Sequence, residues 1–150
     1  MIGLLQRVRR ASVEVEDEEV AAIGRGILVL VGVERRDGEK QASRLAERLV
    51  NYRVFADDEG RMNLSVSDTD GGILLVPQFT LAANTRKGTR ASFARAADPH
   101  EGERLYERLL SEVGARHPKV ASGVFGANMQ VALVNDGPVT FWLDTGGPAE

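Results

Sequence analysis

Apolar and polar residues alternate with a period of two through the first third of the chain. This is the period of a β-strand with one buried face, because successive side chains point to opposite sides of a sheet. It predicts short strands over 2–8, 12–16 and 20–23, with a turn at 17–19. The run over 27–33 is almost entirely apolar, which predicts a strand buried on both faces.

Two later stretches have apolar residues at helical spacing. The first, over 38–55, predicts an amphipathic helix. Its apolar face is formed by Ala42, Leu45, Leu49 and Val50. Asp98 is the predicted N-cap of a second helix, with Pro99 as its first residue and Gly114 at its end. The buried face of the second helix is formed by Leu105, Leu109, Leu110 and Val113.

The rest of the chain returns to strand patterns and sets the fold class. The remaining predicted strands cover 73–81, 120–124, 129–134 and 139–143, and a frayed tail is expected over 145–150. Strands outnumber helices, and the two helices do not alternate with strands in regular βαβ units. The pattern predicts a single α+β domain over 1–150, with sheets covered by two helices.

Composition and charge narrow the class of protein. The 150 residues include no cysteine, which excludes disulfides and a cysteine nucleophile and favours a reducing compartment. No apolar run approaches the roughly 20 residues that span a bilayer, so we expect a cytoplasmic protein without a membrane partner. The formal charge of -3 disfavours a general nucleic-acid coat, although local Lys and Arg clusters still permit phosphate contacts.

The common signatures of catalysis are missing from the sequence. It has no nucleophile elbow, Walker loop or dinucleotide-binding fingerprint. His100 and His117 are the only histidines, and neither has a second histidine or a carboxylate at metal-ligand spacing. We therefore expect structural roles for both histidines, and no metal or cofactor. An enzyme with this sequence works without the usual catalytic side chains.

One predicted strand ends at Gln78 and Thr80 and leads into a loop that carries Arg86, Lys87 and Arg90. Such a loop is either a solvated surface or a contact for phosphates. Thr80 has the chemistry of a nucleophile, but the sequence offers it no visible base. Because threonine is also a common strand residue, both interpretations of Thr80 stay open.

The final third holds two more candidate features. Phe125 and Met129 are either ordinary core residues or a surface that holds a base. The tetrapeptide at 135–138 is typical of a tight hairpin turn between two strands. Pro138 has no N–H to donate, so we expect the carbonyls of Gly137 and Pro138 to lack ladder partners and to be free to face another group.

Four stretches, which together span nearly the whole chain, carry a resemblance to a known family. They are MIGLLQRVRRASVEVE, FADDEGRMNLSV, PQFTLAANTRKGTRASF and FGANMQVALVNDGPVTFWLD. Two of them contain short motifs: Asn-x-Gly-Pro-x-Thr is complete at 135–140, and a Ser-Gln-Phe-Thr-Leu motif stands at 77–81 with Pro77 in place of the serine. In these motifs the chain resembles the D-aminoacyl-tRNA deacylases.

The resemblance implies an activity and an assembly. The activity is hydrolysis of the ester bond of D-aminoacyl-tRNA, and of glycyl-tRNA mischarged on tRNA-Ala, as chiral proofreading in translation. The fold implied is a barrel-like core of mostly antiparallel or mixed sheets. The assembly is a homodimer in which the cis Gly-Pro turn of one subunit enters the active site of the other. There its carbonyls exclude an L side chain, while a D side chain points to solvent.

The same resemblance implies roles for individual residues. The catalytic residues implied are Gln78, Phe79, Thr80, Gly137 and Pro138. The substrate-binding residues implied are Pro77, Phe125, Met129, Asn135 and Arg7. Within these sets, Arg7 holds the Gly-Pro turn, and Phe125 and Met129 pack on the terminal adenine of tRNA. The loop with Arg86, Lys87 and Arg90 is implied as a contact for the tRNA backbone.

Three alternatives remain. Proline at position 77 resembles an animal relative with a trans Gly-Pro bond, which is associated with removing L-alanine from mischarged tRNA. That likeness predicts a deacylase with relaxed chirality. A second alternative is a non-catalytic module that binds an RNA 3′ end in the same pocket. A third is a Thr80-dependent hydrolase of small esters or amides, which needs no tRNA.

Overall fold

One long strand organises the sheet in the computed structural model, which describes residues 1–146. Strand β1 (Ile2–Val15) pairs along one edge with β2 (Glu18–Ile23) and β3 (Gly26–Gly32). Along its other edge it pairs with β8 (Gln130–Asp144), and all three pairings are antiparallel. Strand β2 also contacts the far side of the six-stranded sheet, so the sheet curls into a nearly closed barrel.

The other half of the sheet is parallel. Strand β6 (Gly72–Pro77) pairs with β3, and β7 (Val120–Ser122) pairs with β6. Parallel neighbours need crossover connections, and helices α1 (Glu39–Asn51) and α3 (Pro99–Arg116) lie in the two connections. The expectation that helices and strands do not alternate in βαβ units was therefore wrong for this half, because short extra elements obscured the alternation. No helix within residues 1–146 is long and apolar enough to cross a membrane.

Smaller elements fill the connections. They are β4 (Phe55–Ala56), β5 (Met62–Leu64), α2 (Val66–Thr69) and a 3-10 helix (Phe79–Ala82). The one-turn helix α2 was not predicted from the sequence. Ser65 caps it: the Ser65 hydroxyl accepts the Asp68 N–H at 3.3 Å, and the Asp68 carboxylate accepts the Ser65 N–H at 2.8 Å. This reciprocal pair satisfies backbone donors that the first turn leaves free.

The core lies on both faces of the sheet. Ile27 and Val29 of β3 face a layer that contains Leu45 of α1 and Leu105 of α3. Leu28, between them in the sequence, faces a second apolar cluster on the other side of the sheet. The predicted burial of β3 on both faces is confirmed. The predicted α+β class and the mixed, barrel-like sheet are confirmed as well, with one short helix more than expected.

Several predicted boundaries differ from the structure. The segments 2–8 and 12–16 belong to the single strand β1, because β8 pairs along both of them. Helix α1 ends at Asn51, four residues before the predicted limit, since the following residues turn toward the core and into β4. Helix α3 continues past Gly114 to Arg116. A glycine in the last turn costs a helix only about 1 kcal/mol, which packing of the earlier turns offsets.

The largest difference concerns the predicted hairpin at 135–138, which was wrong. The two halves of β8 pair with β1 and not with each other. Gln6 lies opposite Thr140 and Val8 lies opposite Asn135, so four residues of β8 leave the ladder opposite a single residue of β1. We call this four-residue excursion, residues 136–139, the β8 bulge. It lets β8 continue along β1 while a short segment projects from the sheet.

The end of β8 is held against the start of the chain. The Thr145 N–H donates to Met1 O at 2.9 Å, and its hydroxyl donates to Gln41 O at 3.2 Å. Thr145 is buried as a result. The expectation of a frayed tail over 145–150 was therefore wrong at Thr145, and residues 147–150 lie outside the described part of the chain.

Candidate active site

A cavity of about 500 Å³ opens where the chain leaves β6. The ends of β3 and β6, the first turns of α3 and the loop at 125–129 form its walls, which are mainly apolar. The structure brings five of the predicted site residues into this wall. They are Pro77, Gln78, Phe79, Phe125 and Met129. A mainly apolar cavity with a few directed polar groups is typical of a small-molecule site.

Two unpaired backbone donors follow β6, one at Phe79, which lines the cavity, and one at the next residue, Thr80. Strand β6 ends at Pro77, not at residue 81 as predicted, and the Gln78 N–H donates to Val31 O at 2.7 Å. The next two N–H groups, of Phe79 and Thr80, begin the 3-10 helix and find no acceptor among residues 1–146. Free N–H groups beside a reacting ester stabilise the negative charge that develops on its carbonyl oxygen.

Thr80 has a hydrogen-bond partner but no base. The Gln78 Nε2 amide donates to the Thr80 hydroxyl at 2.5 Å. Within the described residues no histidine or carboxylate bonds to this hydroxyl, and Thr80 does not line the cavity. A threonine hydroxyl needs an adjacent base to act as a nucleophile. This geometry favours the interpretation in which Thr80 orients the Gln78 side chain.

Phe125 and Met129 line the same cavity, each half-buried. The Phe125 ring packs beside the Tyr106 ring, with 6.3 Å between their centroids. The Met129 sulfur accepts the Val124 N–H at 3.4 Å, which closes the loop on itself. The two side chains pack on the protein with one side and face the cavity with the other. The sequence left open whether they belong to the core or to a site, and the structure places them at the boundary.

Tyr106 is a cavity residue that the sequence analysis missed. Its hydroxyl donates to Leu75 O at 2.9 Å and lies 2.6 Å from Ser122 Oγ. Burial raises the pKa of Tyr106 to about 12, so the hydroxyl stays protonated at neutral pH. The available signal was a tyrosine on the apolar face of α3, one turn after Gly102, because a buried tyrosine hydroxyl needs a partner.

Four other predicted residues, Arg7, Asn135, Gly137 and Pro138, form a second group around the β8 bulge. Arg7 Nε donates to Asp136 O at 2.8 Å, and Arg7 Nη1 donates to Val54 O at 2.6 Å. Asn135 Nδ2 donates to Arg7 O at 2.9 Å and to Val139 O at 3.1 Å. Arg7 thus holds the carbonyl that precedes Gly137, and Asn135 ties the two ends of the bulge together.

Gly137 and Pro138 form the exposed tip of the bulge, and the peptide bond between them is cis. A Cβ atom at position 137 would lie 2.3 Å from Asn135 Oδ1, closer than side-chain atoms approach one another. Only glycine fits there while Asn135 keeps its two hydrogen bonds. Neither Gly137 nor Pro138 lines the cavity of its own chain, and the same holds for Arg7 and Asn135.

The basic loop is a small hairpin near the mouth of the cavity. Asn84 and Ser92 exchange backbone hydrogen bonds of 2.7 and 3.0 Å, and Gly88 has a positive φ of 64°. Arg86, Lys87 and Arg90 are exposed on this hairpin. Phe93, which follows it, packs on Phe79 with 5.4 Å between ring centroids. The contact places the hairpin beside the 3-10 helix.

The part of the chain that the structure describes contains no cluster of side chains that could bind a metal ion. No group of three or more His, Cys, Asp or Glu side chains comes together within residues 1–146. His117 is buried with its Nε2 atom 2.6 Å from Gly71 O, which is a packing role. His100 lies exposed in the first turn of α3.

Comparison with known proteins gives one family. The family model described as D-Tyr-tRNA(Tyr) deacylase matches residues 4–144. A D-aminoacyl-tRNA deacylase of Thioalkalivibrio sulfidiphilus is 62% identical over 148 residues, which is 99% of both chains. One of Alkalilimnicola ehrlichii is 61% identical over 144 residues, covering 96% of both chains.

Solved structures agree on the fold. A c-Myc DNA unwinding element binding protein superposes with a TM-score of 0.93 at 39% identity, covering 99% of this chain and all of that one. A probable eukaryotic D-amino acid tRNA deacylase superposes with a TM-score of 0.81 at 19% identity, covering 95% of this chain and 97% of that one, a likeness of fold alone. With the match of the family model and identities above 60%, the chain belongs to the D-Tyr-tRNA(Tyr) deacylase family.

Proposed function

We propose that this protein hydrolyses the ester bond of D-aminoacyl-tRNA and releases free tRNA and the D-amino acid. The observation that carries the proposal is a pair of N–H groups without an acceptor among residues 1–146, those of Phe79, which lines the cavity, and of the next residue, Thr80. Relatives over 60% identical bear the name D-aminoacyl-tRNA deacylase, which supports the same reaction here. The biological role that follows is removal of D-residues before they enter translation.

The reaction needs little side-chain chemistry. Water adds to the ester carbonyl carbon, the bond from that carbon to the ribose oxygen breaks, and the ribose oxygen leaves with a proton. An aminoacyl ester is already activated, so positioning and backbone stabilisation of the oxyanion supply much of the acceleration. This accounts for an active site whose Thr80 hydroxyl, among residues 1–146, has only the Gln78 amide as its partner. A ribose hydroxyl of the substrate itself is the proposed proton carrier.

The part of the cavity lined by Phe125 and Met129 is the proposed site of the terminal adenine. Phe125 offers a ring face, and Met129 offers a polarizable thioether beside it. Bases stack on aromatic side chains with about 1–3 kcal/mol each, and methionine adapts its shape to a ring. In this proposal the nucleotide end of the substrate contacts Phe125 and Met129, and the ester lies at the Phe79 and Thr80 amides.

We propose that the site is completed by a second copy of the chain. No residue of the β8 bulge lines the cavity of the same chain, although the family resemblance implies that both belong to one active site. Within residues 1–146, the 15-residue strand β8 pairs only with β1, which leaves its outer edge open. Long open edges invite pairing with another chain. The half-exposed Trp142 on β8 is a further reason to expect a covering partner.

Chirality is then read by exclusion. With the amino group and the ester held, an L side chain would meet the Gly137 and Pro138 carbonyls of the neighbouring subunit, and a D side chain would point to solvent. A clash against the wrong substrate is an effective source of specificity. The proposal predicts indifference to the type of D side chain, and acceptance of achiral glycine, including glycyl-tRNA mischarged on tRNA-Ala.

The basic hairpin is the proposed contact for the tRNA backbone. Arg86, Lys87 and Arg90 are exposed next to the cavity mouth, where the acceptor end of tRNA would leave the site. Such contacts add affinity without reading sequence. A cytoplasmic location remains a prediction from the sequence.

A second candidate is a deacylase with relaxed chirality, which the proline at position 77 favours. Pro77 is buried in the cavity wall and lacks both the hydroxyl and the N–H of the family's serine. A rearranged wall would admit L-alanine. A non-catalytic module that binds an RNA 3′ end would use the same cavity without hydrolysis.

Deacylation assays on paired substrates distinguish three hypotheses: a D-specific deacylase, a deacylase with relaxed chirality, and a non-catalytic RNA-binding module. D-Tyr-tRNA, L-Tyr-tRNA, Gly-tRNA and L-Ala-tRNA are incubated at one low enzyme concentration, and the remaining ester is followed with time. We expect rapid loss of D-Tyr and Gly esters with both L-esters intact. Loss of L-Ala would favour relaxed chirality, and stability of all four esters would favour the binding module.

A further inference from the structure

The β6–β7 ladder ends one hydrogen bond early at the base of the cavity. The Ile73 N–H donates to Lys119 O at 2.9 Å, and the Gly123 N–H donates to Leu75 O at 2.8 Å. In a parallel ladder the next donor is the N–H two residues beyond Leu75, and its acceptor is Gly123 O. The residue at that position is Pro77, which has no N–H.

The Ser122 side chain donates to the carbonyl that the backbone of Pro77 cannot reach with an N–H. Ser122 Oγ donates to Gly123 O at 2.7 Å. The Tyr106 hydroxyl lies 2.6 Å from the same Oγ and gives its own proton to Leu75 O at 2.9 Å. The two hydroxyls thus share two protons over three short contacts, and two of these contacts reach the carbonyls at the end of the ladder. Without Ser122, the Gly123 carbonyl has no donor among residues 1–146.

Gly123 is the first residue of the loop at 123–129, which carries Phe125 and Met129 of the proposed adenine site. A Cβ atom at position 123 would lie 2.8 Å from Met129 Sδ and 3.4 Å from Pro77 Cδ, so backbone, thioether and proline ring are in close contact. The next residue, Val124, donates its N–H to the same sulfur. A shift of the Gly123 carbonyl is therefore passed to Met129 and to the loop between them.

We propose that Ser122 is a positioning residue: its hydroxyl replaces the N–H that Pro77 lacks and holds the loop at 123–129 in place. The inference rests on the proposed function, in which Phe125 and Met129 of this loop face the terminal base of the substrate. Ser122 does not line the cavity and acts only through Gly123. Proline at position 77 and the hydroxyl at position 122 form a compensating pair.

A double-mutant cycle tests the compensation. The wild type, Ser122→Ala, Pro77→Ser and the double variant are compared for deacylation of D-Tyr-tRNA. In the wild-type background, Ser122→Ala should raise KM roughly threefold to tenfold and leave kcat within about twofold. Pro77→Ser supplies a backbone N–H for Gly123 O. In that background, Ser122→Ala should change KM by less than about twofold.

Hydrogen exchange of the loop amides gives a readout that needs no catalysis. Ser122→Ala should speed exchange over 123–129 by roughly tenfold in the wild-type background and much less with Pro77→Ser present. Ser67→Ala is the matched control, because the Ser67 hydroxyl also donates to a backbone carbonyl, Val50 O at 3.1 Å, away from the cavity. This control should move neither KM nor loop exchange.

Equal effects of Ser122→Ala in both backgrounds, in KM or in exchange, would overturn the proposal. If the alanine variant does not fold, Ser122→Cys replaces it in the same cycle, since a thiol of similar size is a weaker donor. If the wild type hydrolyses no ester, the proposed function fails. The exchange cycle would then still decide whether Ser122 stands in for the missing N–H.

Discussion

At the scale of single residues, the site depends on backbone groups that particular side chains set free or hold. Pro77 ends β6, and the following turn exposes the Phe79 and Thr80 amides. Gly137 leaves the space that Asn135 Oδ1 occupies, so the bulge keeps both of its side-chain hydrogen bonds. In the proposed mechanism, the chemistry therefore depends on main-chain geometry more than on reactive side chains.

Thr80→Ala tests that statement. We expect the variant to keep a deacylation rate within roughly tenfold of wild type, because loss of one neutral hydrogen bond costs about 1 kcal/mol. Removal of a true nucleophile costs on the order of 10⁴-fold or more. The rates of Thr80→Ala, Thr80→Val and Thr80→Ser are measured on D-Tyr-tRNA. Retention by serine alone would show that the hydroxyl performs the chemistry.

At the scale of elements, the structure joins a basic hairpin to the cavity through an aromatic contact. The hairpin closed by Asn84 and Ser92 carries its charges outward, and Phe93 fixes it against Phe79. Charges in this position attract a phosphate backbone without distinguishing sequences. We therefore expect the hairpin to contribute to tRNA affinity and the cavity to perform the chemistry.

The salt dependence of tRNA binding measures this contribution. Replacing Arg86, Lys87 and Arg90 by alanine should reduce the slope of log affinity against log salt by about 2 to 3, since each lost phosphate contact removes about 0.7–0.9. Binding of uncharged tRNA is titrated at several salt concentrations.

Three exposed cations outside the cavity wall provide the control for the salt experiment. They are Lys40, Arg44 and Arg53, replaced together by alanine. This control should leave the slope nearly unchanged. An equal drop in both triple variants would mean that the hairpin is only part of a general surface charge.

At the scale of the whole molecule, the two halves of the proposed site lie apart in one chain. The cavity forms at the ends of β3 and β6, and the β8 bulge projects from the edge of the sheet that holds β8. Twofold symmetry would bring each bulge to the partner's cavity and make two equivalent sites. In such a dimer, the β8 bulge of each subunit would complete the cavity of the other.

Complementation between two inactive variants tests the shared site. Gly137→Val should distort the bulge because its Cβ would clash with Asn135 Oδ1. Met129→Glu should disrupt the cavity by introducing a charge into its mainly apolar wall. In a heterodimer purified with two tags, one of the two sites combines an intact cavity with an intact bulge. We expect about half of the wild-type activity per dimer.

The homodimers of each variant should be inactive but folded, which circular dichroism checks. The mass of the wild type in solution should be twice 16.3 kDa. Failure of the heterodimer to regain activity, although both chains are folded and paired, would show that each site belongs to a single chain.

Local patterns in the sequence were sufficient for the fold class and for the family, and five of the predicted site residues line one cavity. The apolar run of β3, the amphipathic face of α1 and the capped start of α3 are short-range signals, and each formed as predicted. The motifs at 77–81 and 135–140 indicated the family, which the family model confirms. Such features were accessible because they depend on residues close together in the chain.

Only the tertiary structure decided the features that depend on distant partners. Residues 135–138 have the composition of a hairpin turn, yet pairing of both halves of β8 with β1 makes them part of a bulge. The parallel order of β3, β6 and β7 and the place of Tyr106 beside Leu75 and Ser122 likewise join segments far apart in sequence. Local propensity is weak compared with the free energy of burying these elements together, so long-range packing determined the outcome.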